Sequence, residues 1–272
     1  MNWYKLLAHD IKCGLLRKRN LIPFLSFFIL LSGCYTSFKS VDIEPTLSDY
    51  FVYVFLGTEP LSNGSRNDFV LPIIWFQTML CPLYLNIDYL LGDLHKTGEQ
   101  ILVRCKYRRS WLLSKCVWNL CCSIMYFLAL IIIAALITLK TERFSAVCTI
   151  ELLTLLKIPV GFNEYEHSFR FAVLIIKPLL TISALNMLQM ILCLYVKPTI
   201  AFINSLALLM ISSFYEAPYL LGNGAMVIRS CSICEDCAFN IISEVFFTIL
   251  IICFSILFGC VRIRNYNFIN ST

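Results

Sequence analysis

Six stretches of this chain are apolar almost throughout: 21–38, 69–91, 116–139, 171–196, 199–221 and 239–261. Polar residues are gathered between them. A bilayer core about 30 Å thick takes about 20 helical residues at about 1.5 Å each, so every block is long enough, or nearly so, to cross. Barrel strands would alternate apolar and polar positions, and these blocks do not. Pro198, between the fourth and fifth blocks, disfavours helix at the residue before it and predicts a tight turn. Gly222 and Gly224 flank Asn223, and all three suit positive φ, so the fifth helix is expected to stop there. The pattern predicts an all-α fold, a polytopic membrane bundle of six transmembrane helices in a single domain, 1–272.

Two linking segments, 39–68 and 140–170, each hold an apolar piece too short to span, LSDYFVYVFLG and TIELLTLLKIPVG. These read as surface or re-entrant helices packed on the bundle. Residues 1–20 read as an interfacial helix with Trp3, Leu6, Leu7, Ile11 and Leu15 near one face, which Asp10 interrupts. Leu31-Ser32-Gly33-Cys34 also has the form of a lipoprotein cleavage box, although its charged lead is long for a signal peptide.

Composition agrees with the pattern. Hydrophobic residues make up 59% of the 272 and charged residues 14%, against about 25% charged in soluble domains; mean hydropathy is +0.77. Six spans put both termini and the second and fourth loops on one side. Of the 22 lysines and arginines, fourteen fall on that side, seven on the other, and Lys177 lies inside a block. The first side is therefore expected to be cytoplasmic, in a multi-pass cell-membrane protein. The net charge of +5 follows from orientation, and no basic patch interleaved with aromatics points to nucleic acid.

The cations concentrate in one island, TGEQILVRCKYRRSWLLSKCVW, residues 97–118. As helix, residues 97–105 place Gly98, Ile101, Leu102 and Cys105 on one stripe, with Glu99, Gln100, Arg104 and Arg108 off it. Such a helix beside a span can grip anionic lipid headgroups or dock a protein, and the two roles are compatible. Inside the blocks, Lys177, Glu216 and Glu244 lie five or six residues from the same end, roughly 8 Å deep. They form a candidate intramembrane charge cluster. A network fastening the bundle is the plainer reading, and a substrate or proton relay the other. Asp88 and Lys115 are a candidate pair at the opposite end, unless each snorkels to the headgroups.

The order of these parts resembles the permease subunits of type-2 ATP-binding cassette exporters. In that family an interfacial helix precedes span one, and an amphipathic helix between spans two and three couples to an ATPase. Gly98, Ile101, Leu102, Arg109, Trp111, Leu112, Leu113 and Lys115 stand at comparable places. The family's usual proline is missing around Cys105-Lys106-Tyr107, and Ser114 replaces a glycine. The resemblance implies a cytoplasmic coupling segment at 92–115, with Gly98, Glu99, Ile101, Leu102, Arg104, Cys105 and Arg109 facing the ATPase. It also implies a cytoplasmic ABC ATPase and a second permease copy, or a similar permease, as partners.

The remaining chemistry is sparse. No G-x-x-x-x-G-K-[ST] loop is present, so nucleotide would be hydrolysed on another chain. His9, His95 and His167 make no metal-binding pair, and no G-x-S-x-G elbow occurs. Most of the 14 cysteines lie in the blocks as small apolar side chains. Cys231, Cys234 and Cys237 could hold zinc or an iron–sulfur cluster, but a fourth ligand is not evident, and a disulfide, with Cys148 as a further partner, is as good a reading. No catalytic residue, metal or cofactor is assigned. Two other classes stay open: a non-transporting membrane scaffold, assembly or immunity-type protein, and an intramembrane enzyme.

Overall fold

A computed structural model describes residues 3–15, 21–61, 70–94, 108–140, 145, 147–156, 167–229 and 241–264. Among these the chain is helical, with no strand. The helices are α1 (Trp3–Leu15), α2 (Leu21–Lys39), α3 (Leu47–Val54), α4 (Ile73–Asn86), α5 (Tyr89–Asp93), α6 (Arg108–Lys140), α7 (Ile150–Leu155), α8 (His167–Leu192), α9 (Pro198–Phe214) and α10 (Ile241–Arg264). Four are long and apolar enough to cross a membrane, over Leu21–Lys39, Arg108–Leu139, Ala172–Leu192 and Ile242–Arg264. The protein is a helical bundle with several helices able to span a membrane.

Two of the six expected blocks are shorter as helices than as apolar runs. Block 69–91 is divided into α4, of 14 residues, a turn at Ile87-Asp88, and α5, of 5 residues. Pro82 within α4 is one cause of the irregularity. A proline has no N–H and leaves the carbonyl four residues earlier without its helical donor. That carbonyl belongs to Thr78, and the Tyr126 hydroxyl donates to it at 2.7 Å. At the break, the Ile87 N–H turns to the Tyr84 carbonyl, and the Leu83 carbonyl accepts from Gln189 Nε2 at 2.9 Å. Side chains of α6 and α8 thus satisfy the backbone that α4 cannot, as irregular helix inside a membrane requires.

The fifth helix, α9, stops at Phe214, well before the glycines expected to end it. Pro218 follows and disfavours helical backbone at Ala217. Gly222 opens a 3-10 turn at Asn223–Ala225 with φ −65°; the positive φ expected there is absent. Space is what Gly222 supplies, since a Cβ on it would lie 2.5 Å from the Ser212 side chain. The tight turn between α8 and α9 is present, with Pro198 as the first residue of α9.

The short apolar piece LSDYFVYVFLG folds back into the bundle. Every residue of α3 except Tyr53 is buried, and Phe51, Val52 and Phe55 join the main core with Trp75, Met79 and Phe127. Thr46 and Asp49 close a reciprocal capping box at its start. Asp49 also accepts from the Thr149 N–H at 2.9 Å and its hydroxyl at 3.0 Å, joining the two long linking segments. Burial pushes the Asp49 carboxyl above its ordinary value, and the hydrogen bonds from Thr46 and Thr149 pull it back. A second core of Leu90, Trp111, Leu112, Met190, Ile191 and Ile263 sits at the end of the bundle nearest α1.

Candidate functional site

Helix α1 lies against α6. Its buried stripe is Leu6, Asp10 and Gly14, spaced four apart, while Ile11 is 36% exposed. The apolar pattern alone puts Ile11 on the inner face and makes Asp10 an interruption. In the structure the stripe is turned so that Asp10 faces inward. Gly14 allows the close approach, because a Cβ there would lie 2.1 Å from the Trp118 indole nitrogen.

Asp10 meets Lys115. The ammonium forms ion pairs with Asp10 Oδ1 and, at 2.7 Å, with Asp93 Oδ2. Ser114 Oγ donates to Asp10 Oδ2 at 2.6 Å, and the Tyr89 hydroxyl donates to Asp10 Oδ1 at 3.2 Å. Trp111 Nε1 donates to Asp93 Oδ2 at 3.3 Å. Aromatic faces complete the enclosure: Lys115 Nζ is 4.8 Å from the Tyr89 ring centre and 5.4 Å from that of Trp111. Lys115 is 1% exposed and Asp10 3%. Burying charges this deeply is unfavourable unless they are paired and hydrogen-bonded, and here they are both.

The geometry also has a topological consequence. Asp93 is the last residue of α5 and Lys115 lies two turns into α6. Their ion pair closes the chain around the cationic island, and Asp10 fixes the interfacial helix to the same knot. Lys115 therefore finds its ion-pair partners in Asp10 and Asp93, not in the Asp88 expected from proximity. Asp88 sits exposed in the turn between α4 and α5. Of the residues the family resemblance assigns to coupling, Gly98, Glu99, Ile101, Leu102, Arg104 and Cys105 lie outside the described residues. Arg109 is exposed in the first turn of α6. Arg108 and Arg109 there oppose the helix dipole, which favours anions at that end.

At the far end Lys177 of α8 pairs with Glu244 of α10, and both are buried. Glu216 is not the third buried member: it lies beyond α9 and is exposed, although within electrostatic reach of Glu244 and Arg229. Arg229, by sequence only a loop cation, is instead 2% exposed. Its Nε donates to the Thr58 carbonyl at 2.7 Å, and its NH1 and NH2 donate to the Ser212 and Ser213 carbonyls at 2.6 Å each. NH1 also donates to the Tyr215 carbonyl at 3.1 Å and to Asn223 Oδ1 at 2.8 Å. The guanidinium caps the open end of α9. Burial lowers its pKa to about 10, and Glu216 acts in the opposite sense. Nothing in the sequence spacing announces this clamp, since four of its five acceptors are backbone carbonyls.

Cys231, Cys234 and Cys237 lie outside the described residues. Comparison with known proteins gives no match among protein-family models, curated proteins or solved structures.

Proposed function

We propose that the chain is the membrane-spanning permease subunit of an ATP-driven exporter, energised by a separate ATPase chain. On this reading the bundle is multi-pass with six crossings, α4 with α5 and α9 being the short ones, and the α1 end faces the cytoplasm. The island between Asp93 and Lys115 receives the ATPase, with Ile101 and Leu102 in a groove on it. ATPase closure tilts the spans and alternates access. A second permease completes the path.

The observation that carries this reading is the buried Asp10–Lys115–Asp93 knot. A segment that transmits force must be held at its base, or motion is lost in the loop. Both ends of the island meet at one enclosed cation, which also holds α1 and continues directly into the 33-residue α6. A force on the island is delivered to α1, α5 and α6 together. Arg109, exposed in the first turn of α6, suits an acidic partner surface.

The test is affinity purification of the full chain from its native membrane, with and without Ile101→Glu and Leu102→Glu. The expected result is an ATPase that accompanies the native chain and is lost from the double variant, with the bundle's unfolding temperature unchanged. A chain that brings down no ATPase, or a complex indifferent to both substitutions, rejects the proposal in favour of a scaffold. Labelling of Lys106 or Arg108 from outside intact cells would reverse the orientation.

A further inference from the structure

Between α2, α4 and α6, at the end of the bundle nearest α1, lies a half-open apolar cleft. Pro23 and Phe24 form one wall, Pro82 and Leu85 the second, and Met125 and Ala129 the third. The cleft exists because α4 is irregular there: it lines the cleft from Pro82 to its last residue, Asn86, and then gives way to the turn before α5. Tyr126 also contributes, and its hydroxyl is already committed to the Thr78 carbonyl, so its ring is what it offers the cleft.

The surroundings identify the occupant. On α2, Phe24, Leu25 and Phe28 are 39%, 63% and 58% exposed, and on α6 Met125 and Leu128 are 40% and 48% exposed. These are apolar side chains on helices long enough to cross a membrane, so hydrocarbon covers them, and the cleft opens onto that same surface. Its apolar lining and its place between helices match ligand sites in bundles. The polar side chain at its α1 end is Asn86, half-buried, whose amide makes no hydrogen bond among the described residues. Asn86, the last residue of α4, lines the cleft together with Pro23 in the first turn of α2, and helix ends of this kind suit the border of hydrocarbon and headgroup. An amide there can donate to an ester carbonyl.

We propose that this cleft is a specific binding site for one acyl chain of a glycerophospholipid from the leaflet on the α1 side, with Asn86 donating to its ester carbonyl. The site differs from the exposed face of α10, where Phe254 and Leu257 are 59% and 66% exposed on an outward helix surface. Lipid there is exchangeable solvent. The inference needs only the membrane location of the bundle and stands apart from transport.

The experiment reconstitutes the full chain in vesicles of phosphatidylethanolamine and phosphatidylglycerol, with phosphatidylglycerol carrying a photoreactive diazirine midway along one chain as the probe. Crosslinked peptides are then located by mass spectrometry. Yields at Phe24, Leu85 and Met125 are expected to exceed those at Phe254 and Leu257 several-fold, because a chain packed in the cleft gains close van der Waals contact on three sides while lipid on α10 exchanges. Ala129→Phe, which fills the cleft, is expected to remove the excess and leave the α10 yield unchanged. Leu85→Phe, at a half-buried position, serves if the first variant does not fold. Asn86→Leu is expected to lower the excess a few-fold without abolishing it, as the loss of one hydrogen bond would. Equal yields on the two faces, or an excess that survives both filling variants, overturns the proposal.

Discussion

Two buried cations, one near each end of the bundle, are held by opposite chemistry. Near α1, a buried cation is held by two carboxylates from different parts of the chain, Asp10 and Asp93. At the far end, Arg229 is equally buried but held by neutral acceptors, four backbone carbonyls and one amide oxygen. The first arrangement gives each partner a strong claim on the other and leaves a bare carboxylate if the lysine is removed. The second spreads the cation over the open end of a helix, where the dipole already favours positive charge. Charge pairing fixes separate elements to one point, and capping finishes an element that Pro218 cut short. The Lys115 site is thus built as a joint, and the Arg229 site as a seal.

Removing the lysine is the strongest way to break that contrast. Lys115→Met takes away the cation paired with Asp10, which is 3% exposed, and breaking such a buried pair costs about 3–5 kcal/mol. Thermal unfolding in detergent should show the loss, and amide exchange should accelerate in α1 while α9 keeps its protection. Asp10→Asn is milder, because Asp93 still neutralises Lys115 and the amide oxygen can accept from Ser114. A Lys115→Met protein as stable as the native chain would mean that the knot is an ornament of folding with no mechanical role.

At the far end the expected loss is smaller. Arg229→Met removes the donors to five acceptors, several of which sit beside exposed residues and can turn to water. A cost of about 2–3 kcal/mol is expected, toward the upper range for charged hydrogen bonds. Arg229→Lys should recover little of it, because a compact ammonium cannot span the fork from Thr58 to Ser213. Exchange should accelerate at the last turn of α9 and leave α1 untouched. If a lysine at this position proves as good as arginine, the clamp is a point charge and the comparison with Lys115 collapses.

How far these sites are legible beforehand follows from what holds them. The apolar blocks mark the helices, because hydrocarbon burial is written in runs of side chains. Lys115 is visible as a charge at the edge of a block, and Asp10 as an interruption in an amphipathic stripe. Their pairing is not visible, since the two are 105 residues apart and a helical wheel of α1 built on its apolar members alone turns Asp10 away. A wheel that admits one polar residue at the centre finds Leu6, Asp10 and Gly14. Glu216 falls inside an apolar run, yet the run outlasts the helix, and Pro218 helps to end α9 sooner. Arg229 leaves no trace at all: its acceptors are mostly carbonyls, which every residue possesses. The cleft depends on where α4 bends, and Pro82 gives the cause without the shape.

That bend supplies the smallest effect and the cleanest measurement. Pro82 deprives the Thr78 carbonyl of its helical donor, and Tyr126 replaces it at 2.7 Å. Tyr126→Phe keeps the ring, its packing against Phe27 and the wall of the cleft, and removes one hydroxyl. The buried carbonyl is then unsatisfied, at a cost of about 1–2 kcal/mol. Pro82→Ala restores a backbone N–H able to reach Thr78, so in that background the hydroxyl is redundant and its removal should cost much less. The difference between the two costs is the coupling energy of the proline and the tyrosine, and a double-mutant cycle on unfolding free energy measures it. A coupling near zero would mean that the Tyr126 hydroxyl does nothing for the broken helix, and that α4 bends for some other reason. A clear coupling would make the irregularity of α4 a property carried jointly by two helices, so that straightening α4 also closes the cleft.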